Sequence, residues 1–175
     1  MSVSSHLTPE PERRLWTILE SVEHAAEWTD KKIAALTAFA AAELIFIKLL
    51  APATPMGYLG LVFLSAALPL GVFAFSPLTG APQRLTVLEP LRKKHSIDDC
   101  LLVPDDIANY AHGELIQLLD KYLGGGITST RYYEDIIGQI VVHARISKRK
   151  QRLFRTACIV VGIGQIGLLG RLIGL

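Results

Sequence analysis

Charge is what this sequence has least of. Only 19% of its residues are charged and 50% are hydrophobic, with a mean hydropathy of +0.36, whereas soluble domains carry about 25% charge. Not one charged side chain falls between Gly57 and Phe75. Cysteine is nearly missing: Cys100 and Cys158 have no partner Cys or His at metal-ligand spacing, and neither points to a disulfide. No nucleophile motif, dinucleotide fingerprint or P-loop occurs. The triplet Gly124, Gly125, Gly126 lacks a following Lys-Ser or Lys-Thr and reads as a helix terminator and hinge. HSIDDC, residues 95–100, is the one stretch that combines His, carboxylates and Cys. With no second His beside an Asp it reads as a solvated loop, and His143 reads as a surface or helix-contact residue. These absences predict a protein that is not an enzyme, with no catalytic residues, no metal and no cofactor.

What is present is apolar helix. A bilayer core of about 30 Å takes roughly 20 apolar residues in helical form, and Ile33–Ala51, Gly57–Phe75 and Phe154–Leu175 reach that length. The expected fold class is all-α: an integral membrane protein with three transmembrane helices and a mainly helical cytoplasmic region between the second and third. The organisation read from the sequence is an amphipathic leader helix over 1–32, a two-span hairpin over 33–75, a cytoplasmic helical segment over 76–153 and a third span over 154–175. The first thirty residues are polar, carry Pro9 and Pro11, and do not read as a signal peptide.

Lys and Arg placement sets the expected orientation. Arg13, Arg14, Lys31 and Lys32 precede the first apolar stretch, and twelve more lie between Arg84 and Arg155, while the connection at 51–56 has none. Positive charge stays on the cytoplasmic side, which predicts a multi-pass membrane protein with its N-terminus inside and its C-terminus outside. The basic run Arg145, Lys148, Arg149, Lys150, Arg152 and Arg155 then faces lipid headgroups. No aromatic residues interleave with it, so no nucleic-acid partner is expected.

Helix signals organise the rest. Thr8 with Pro9, Glu10 and Glu12 marks a start, and Leu15, Ile18, Leu19 and Val22 recur at helical spacing, leading without a breaker into the first span. Pro77, Gly80, Pro82 and Pro90 argue for an irregular connection. Pro104, Asp105 and Asp106 are expected to open one helix running through Tyr110 and Leu119 to Tyr122. A last helix is expected from Thr128–Thr130, without interruption into the third span.

The polar residues inside the apolar stretches carry the most information. A charged side chain at the centre of a membrane helix costs about 3 kcal/mol on insertion scales, and one interhelical hydrogen bond returns only about 0.6 kcal/mol, so Glu43 needs shelter from neighbouring helices. Lys48 cannot supply it, because five residues turn the helix through about 500° and leave the two side chains about 140° apart. Gln165 lies eleven residues past Phe154, Glu43 ten past Ile33, and Arg171 matches Lys48 at the outer boundary. Glu43 is therefore expected to face Gln165, within one subunit or across an interface. Gly162, Gly164, Gly167, Gly170 and Gly174 permit close helix approach, and Pro69 frees the Ser65 carbonyl. Together these features predict a homo-oligomer embedded in the lipid bilayer, with a polar interior able to rearrange.

The stretches TDKKIAAL, VPDDIANYAHGELIQLLDKYL and YYEDIIGQIVVHARISKRKQRLFRTA, in this order around a close two-span hairpin, resemble the Pycsar-type transmembrane effectors of bacterial anti-phage defence. The resemblance implies a membrane protein that responds to a cyclic nucleotide, the second messenger of a partner cyclase, and impairs the inner membrane so that the infected cell stops growing. No cyclic-nucleotide-binding β-roll is legible, which leaves ligand sensing to the helical cytoplasmic part, to another subunit or to neither; on the helical part Arg131, Tyr132, Tyr133 and Arg145 offer cations and stacking faces near the hinge. Two functions fit: a nucleotide-gated effector in which Glu43 and Gln165 line or close a pore, or a membrane scaffold whose cytoplasmic helices dock a partner.

Overall fold

The computed structural model describes residues 11–49, 55–75, 100–123 and 131–172. They form five helices: α1 (Pro11–Leu49), α2 (Pro55–Phe75), α3 (Pro104–Ile107), α4 (His112–Leu123) and α5 (Arg131–Leu172). Among the described residues there is no strand. The helix start at Thr8–Pro9, the Pro-rich connection with HSIDDC up to Asp99, and the glycine triplet lie outside the described residues.

α1 runs unbroken for 39 residues, opened by Pro11, whose missing N–H would have no partner in a first turn, and by Glu12 at the positive end of the dipole. α5 is continuous for 42 residues, about 63 Å at 1.5 Å per residue. α2 remains one helix with Pro69 inside it.

Two expectations are corrected. Two described helices, not three, are long and apolar enough to cross a membrane: α2, and α5 through Leu169. Lys32, Glu43 and Lys48 all fall in the last 18 residues of α1, and among the described residues their charges take it out of that class. The single helix expected from Pro104 to Tyr122 is divided. The Asn109 side chain bonds back to the Asp105 carbonyl (3.1 Å), competing with the backbone for that acceptor. Glu114 Oε2 then accepts the Ala111 N–H (2.7 Å), half of a capping box that starts α4 afresh.

The chain divides into two compact units, Met1–Glu27 with Glu89–Arg149 and Trp28–Leu88 with Lys150–Leu175. The first closes on Leu15, Ile18, Leu19 and Val22 of α1, Ile107 of α3, Leu115 and Leu119 of α4, and Ile136, Ile137, Ile140, Val141 and Ala144 of α5. Each set recurs at three- and four-residue spacing, as one buried helix face requires. Ile140 is fully buried, so Ile140→Ala is expected to cost about 2–5 kcal/mol. The check is a lower unfolding midpoint of the full chain in detergent.

Candidate functional site

The second unit packs three helical segments around a small apolar cluster: Ala40 with Leu36 and Leu44 on α1, Leu64 and Ala67 on α2, Val161 with Val160 and Leu168 on α5. Ile33, Ala74 and Leu153 form a second such cluster. Glycine brings the backbones close. A Cβ added at Gly60 would lie 2.9 Å from the Gly164 carbonyl oxygen, and one at Gly167 would lie 3.1 Å from the Gly60 nitrogen. On α1 the partner is Thr37, whose hydroxyl donates to the Ile33 carbonyl (2.8 Å), and whose Oγ1 a Cβ at Gly71 would overlap. The outer faces are apolar, with Ile45, Phe46, Val62, Val72 and Ile166 all exposed, as lipid-facing surfaces are.

The polar pair sits on the faces that form this cluster. Glu43 follows Leu36 and Ala40 along α1, and Gln165 falls between Val161 and Leu168 along α5. Gln165 Nε2 donates to Glu43 Oε1 at 2.5 Å. The other carboxyl oxygen, Glu43 Oε2, is buried without a hydrogen-bond partner among the described residues. The side chains of Lys48 and Arg171, set on α1 and α5, lie outside the described residues.

The four residues expected to contact a ligand are not gathered in one place. Arg131 and Arg145 are fourteen residues apart on α5, about 21 Å along its axis. Tyr132 is exposed and its hydroxyl donates to Glu12 Oε1 (3.4 Å). Its ring stands 5.8 Å from that of Tyr133, and Tyr133 packs against the first unit's core. Arg145 turns inward, Nη2 donating to the Tyr110 carbonyl (3.2 Å).

The basic run is therefore not a uniform headgroup-facing stripe. Lys148, only 8% exposed, donates to the Asp105 carbonyl (3.1 Å) and to Asn109 Oδ1 (2.7 Å). With Arg145 it places positive charge on carbonyls of α3 and of the turn that follows it. Lys150 pairs with Asp30 at 2.7 Å, while Arg152 and Arg155 remain exposed. The inward turn of Lys148 was open to sequence reasoning, because it follows Ile137, Val141 and Ala144 at helical spacing; nothing in the sequence marks Thr37 or Asn109. Among the described residues no three His, Cys, Asp or Glu side chains are grouped to hold a metal ion.

Long helices of membrane-spanning length, apolar outer faces and a carboxyl–amide pair between helices define a class, the small helical membrane protein. The family follows from comparison: the chain matches the Pycsar effector protein domain over residues 14–174 and belongs to that family. It is thus a membrane effector of anti-phage cyclic-nucleotide signalling, and membership implies a response to a cyclic nucleotide from a partner cyclase. No curated protein and no solved structure matches the chain.

Proposed function

We propose that this chain is a nucleotide-gated effector that oligomerises in the bacterial inner membrane and impairs its integrity, arresting or killing the infected cell. The observation that carries the reading is the Gln165–Glu43 contact inside an otherwise apolar three-helix unit. A polar pair between helices is a place where packing can be exchanged for an open, hydrated arrangement without stranding a charge in hydrocarbon. The Lys- and Arg-rich segment between α2 and the apolar part of α5 faces the cytoplasm in this reading, where a second messenger is made. Non-enzymatic action fits a site built from one carboxyl, one amide and close-packed glycines.

The test is expression with and without the partner cyclase's nucleotide, followed by a membrane-potential dye. Nucleotide-dependent depolarisation is expected in the wild type and is expected to fall to background in Glu43→Leu, with insertion checked by membrane fractionation. Depolarisation unchanged in Glu43→Leu would remove the carboxyl from the mechanism. A chain that never depolarises the membrane under any nucleotide, yet retains a cytoplasmic partner on purification, would favour the scaffold.

A further inference from the structure

We propose that the end of the second unit where Asp30 meets Lys150 is a binding rim for anionic phospholipid, whose phosphodiester headgroups are taken by Lys31 and Lys32 on α1 and by Arg152 and Arg155 on α5. The inference rests on the placement of this unit in the bilayer. The Lys150 ammonium donates to Asp30 Oδ2 at 2.7 Å, which holds α1 and α5 at one level. One turn further along, Ile33 and Leu153 share a buried cluster with Ala74, next to the last residue of α2. Lys31, Lys32 and Arg152 therefore stand within about 3 Å of the ion pair along the helix axes, and Arg155 within about 8 Å.

Burial sorts the cations of this region by task. Arg145 and Lys148 serve backbone carbonyls and Lys150 serves Asp30, whereas Lys31, Lys32, Arg152 and Arg155 are exposed. The outward face of α1 also carries Trp28, 54% exposed, with the Lys32 ammonium 5.4 Å from the centre of its ring; a headgroup layer favours such an amphipathic aromatic. Exposed Phe39, Ile45 and Phe46 follow on the same helix. On α5, Arg152 and Arg155 are neighbours at three-residue spacing. Thr156 beside them returns its hydroxyl to the Arg152 carbonyl (3.0 Å), and exposed Ile159, Ile163 and Ile166 come next. Both helices thus pass from exposed cations to exposed apolar side chains in the same direction, which is the profile of a phospholipid, phosphate first and acyl chain after. Lysine and arginine stems can lie along the apolar surface while their heads reach the phosphate, and a guanidinium fits its oxygens with two parallel donors. A phosphatidylcholine headgroup brings a cation of its own. Phosphatidylglycerol brings net negative charge, and is the better match.

The measurement is electron paramagnetic resonance of spin-labelled lipid in phosphatidylcholine vesicles holding the full chain. Labelled phosphatidylglycerol should show a larger motionally restricted fraction than labelled phosphatidylcholine, with the excess shrinking as salt is raised. Replacing Lys31, Lys32, Arg152 and Arg155 together by Gln should remove that excess, while Arg13→Gln with Lys121→Gln, two exposed cations of the first unit, should leave it unchanged. Equal fractions in the wild type, or an excess that survives in the quadruple variant, would overturn the proposal. For a reading that keeps every rim cation in place, Trp16→Phe leaves Trp28 as the sole tryptophan. Brominated phosphatidylglycerol should then compete for contact with Trp28 about fivefold better than brominated phosphatidylcholine, the gain expected from one cation at a headgroup surface. Equal quenching by the two lipids rejects the rim. Neither readout involves nucleotide or depolarisation, so lipid selectivity in a chain that never depolarises membranes would sink the effector reading and leave this one standing.

Discussion

Gly60→Val is expected to destabilise the full chain in detergent by about 3 kcal/mol, the upper end of what overpacking a close contact ordinarily costs. The reason is what the new side chain meets. A Cβ there comes within 2.9 Å of the Gly164 backbone oxygen and 3.0 Å of Leu168 Cγ. Leu168 can swing aside, but the carbonyl belongs to the α5 backbone, so α2 and α5 must move apart. Separation would also loosen the contact of Leu64 with Gly164, where an added Cβ meets Leu64 Cγ at 3.0 Å. Gly162 gives the opposite result. An added Cβ there meets nothing within 4 Å, so Gly162→Ala should be neutral or stabilising by at most about 1 kcal/mol, the helix-propensity gain. Paired thermal unfolding of the two variants is the check, and equal losses in both would show that the glycines act through backbone flexibility and not through close approach.

The second large effect is expected at Lys148. Lys148→Met keeps most of the aliphatic stem, and with it the packing that the stem provides, but removes the ammonium that serves the Asp105 carbonyl and Asn109 Oδ1. Asn109 is itself buried, so its oxygen loses a donor where water cannot replace it. A loss of about 1.5–3 kcal/mol follows from the charge-assisted bond and the stranded acceptor. The same substitution made in an Asn109→Leu background should cost clearly less, since the acceptor is gone. Equal costs in both backgrounds would mean that the Lys148 ammonium acts through partners other than Asn109, and the proposed hold on that side chain would be wrong.

Periodicity and chain depth carried the reading of the sequence a long way. Leu15, Ile18, Leu19 and Val22 announced the buried face of α1. Counting residues from the start of each apolar stretch placed Glu43 level with Gln165, and the two side chains are in contact. What could not be read was tertiary in origin. The break between α3 and α4 depends on whether Asn109 bonds back to Asp105 or leaves that carbonyl to the helix, and local propensity does not decide between them. Charge density in the basic run pointed to headgroups, yet two of its cations serve carbonyls near the end of a four-residue helix. Counting apolar length in α1 without weighing Lys32, Glu43 and Lys48 together gave a third crossing that the described helices do not provide.

The separation of Glu43 and Gln165 along the chain, 122 residues, bears on how the protein is made. At a synthesis rate of about 5–20 residues per second, the acid leaves the ribosome roughly 6–24 seconds before the amide that will receive it. Through that interval the nascent first helix must wait at the translocon or the lipid surface with its acidic group unaccompanied. Assembly of the bundle is then tied to synthesis of α5, and a chain released before it would keep its acidic group without the amide.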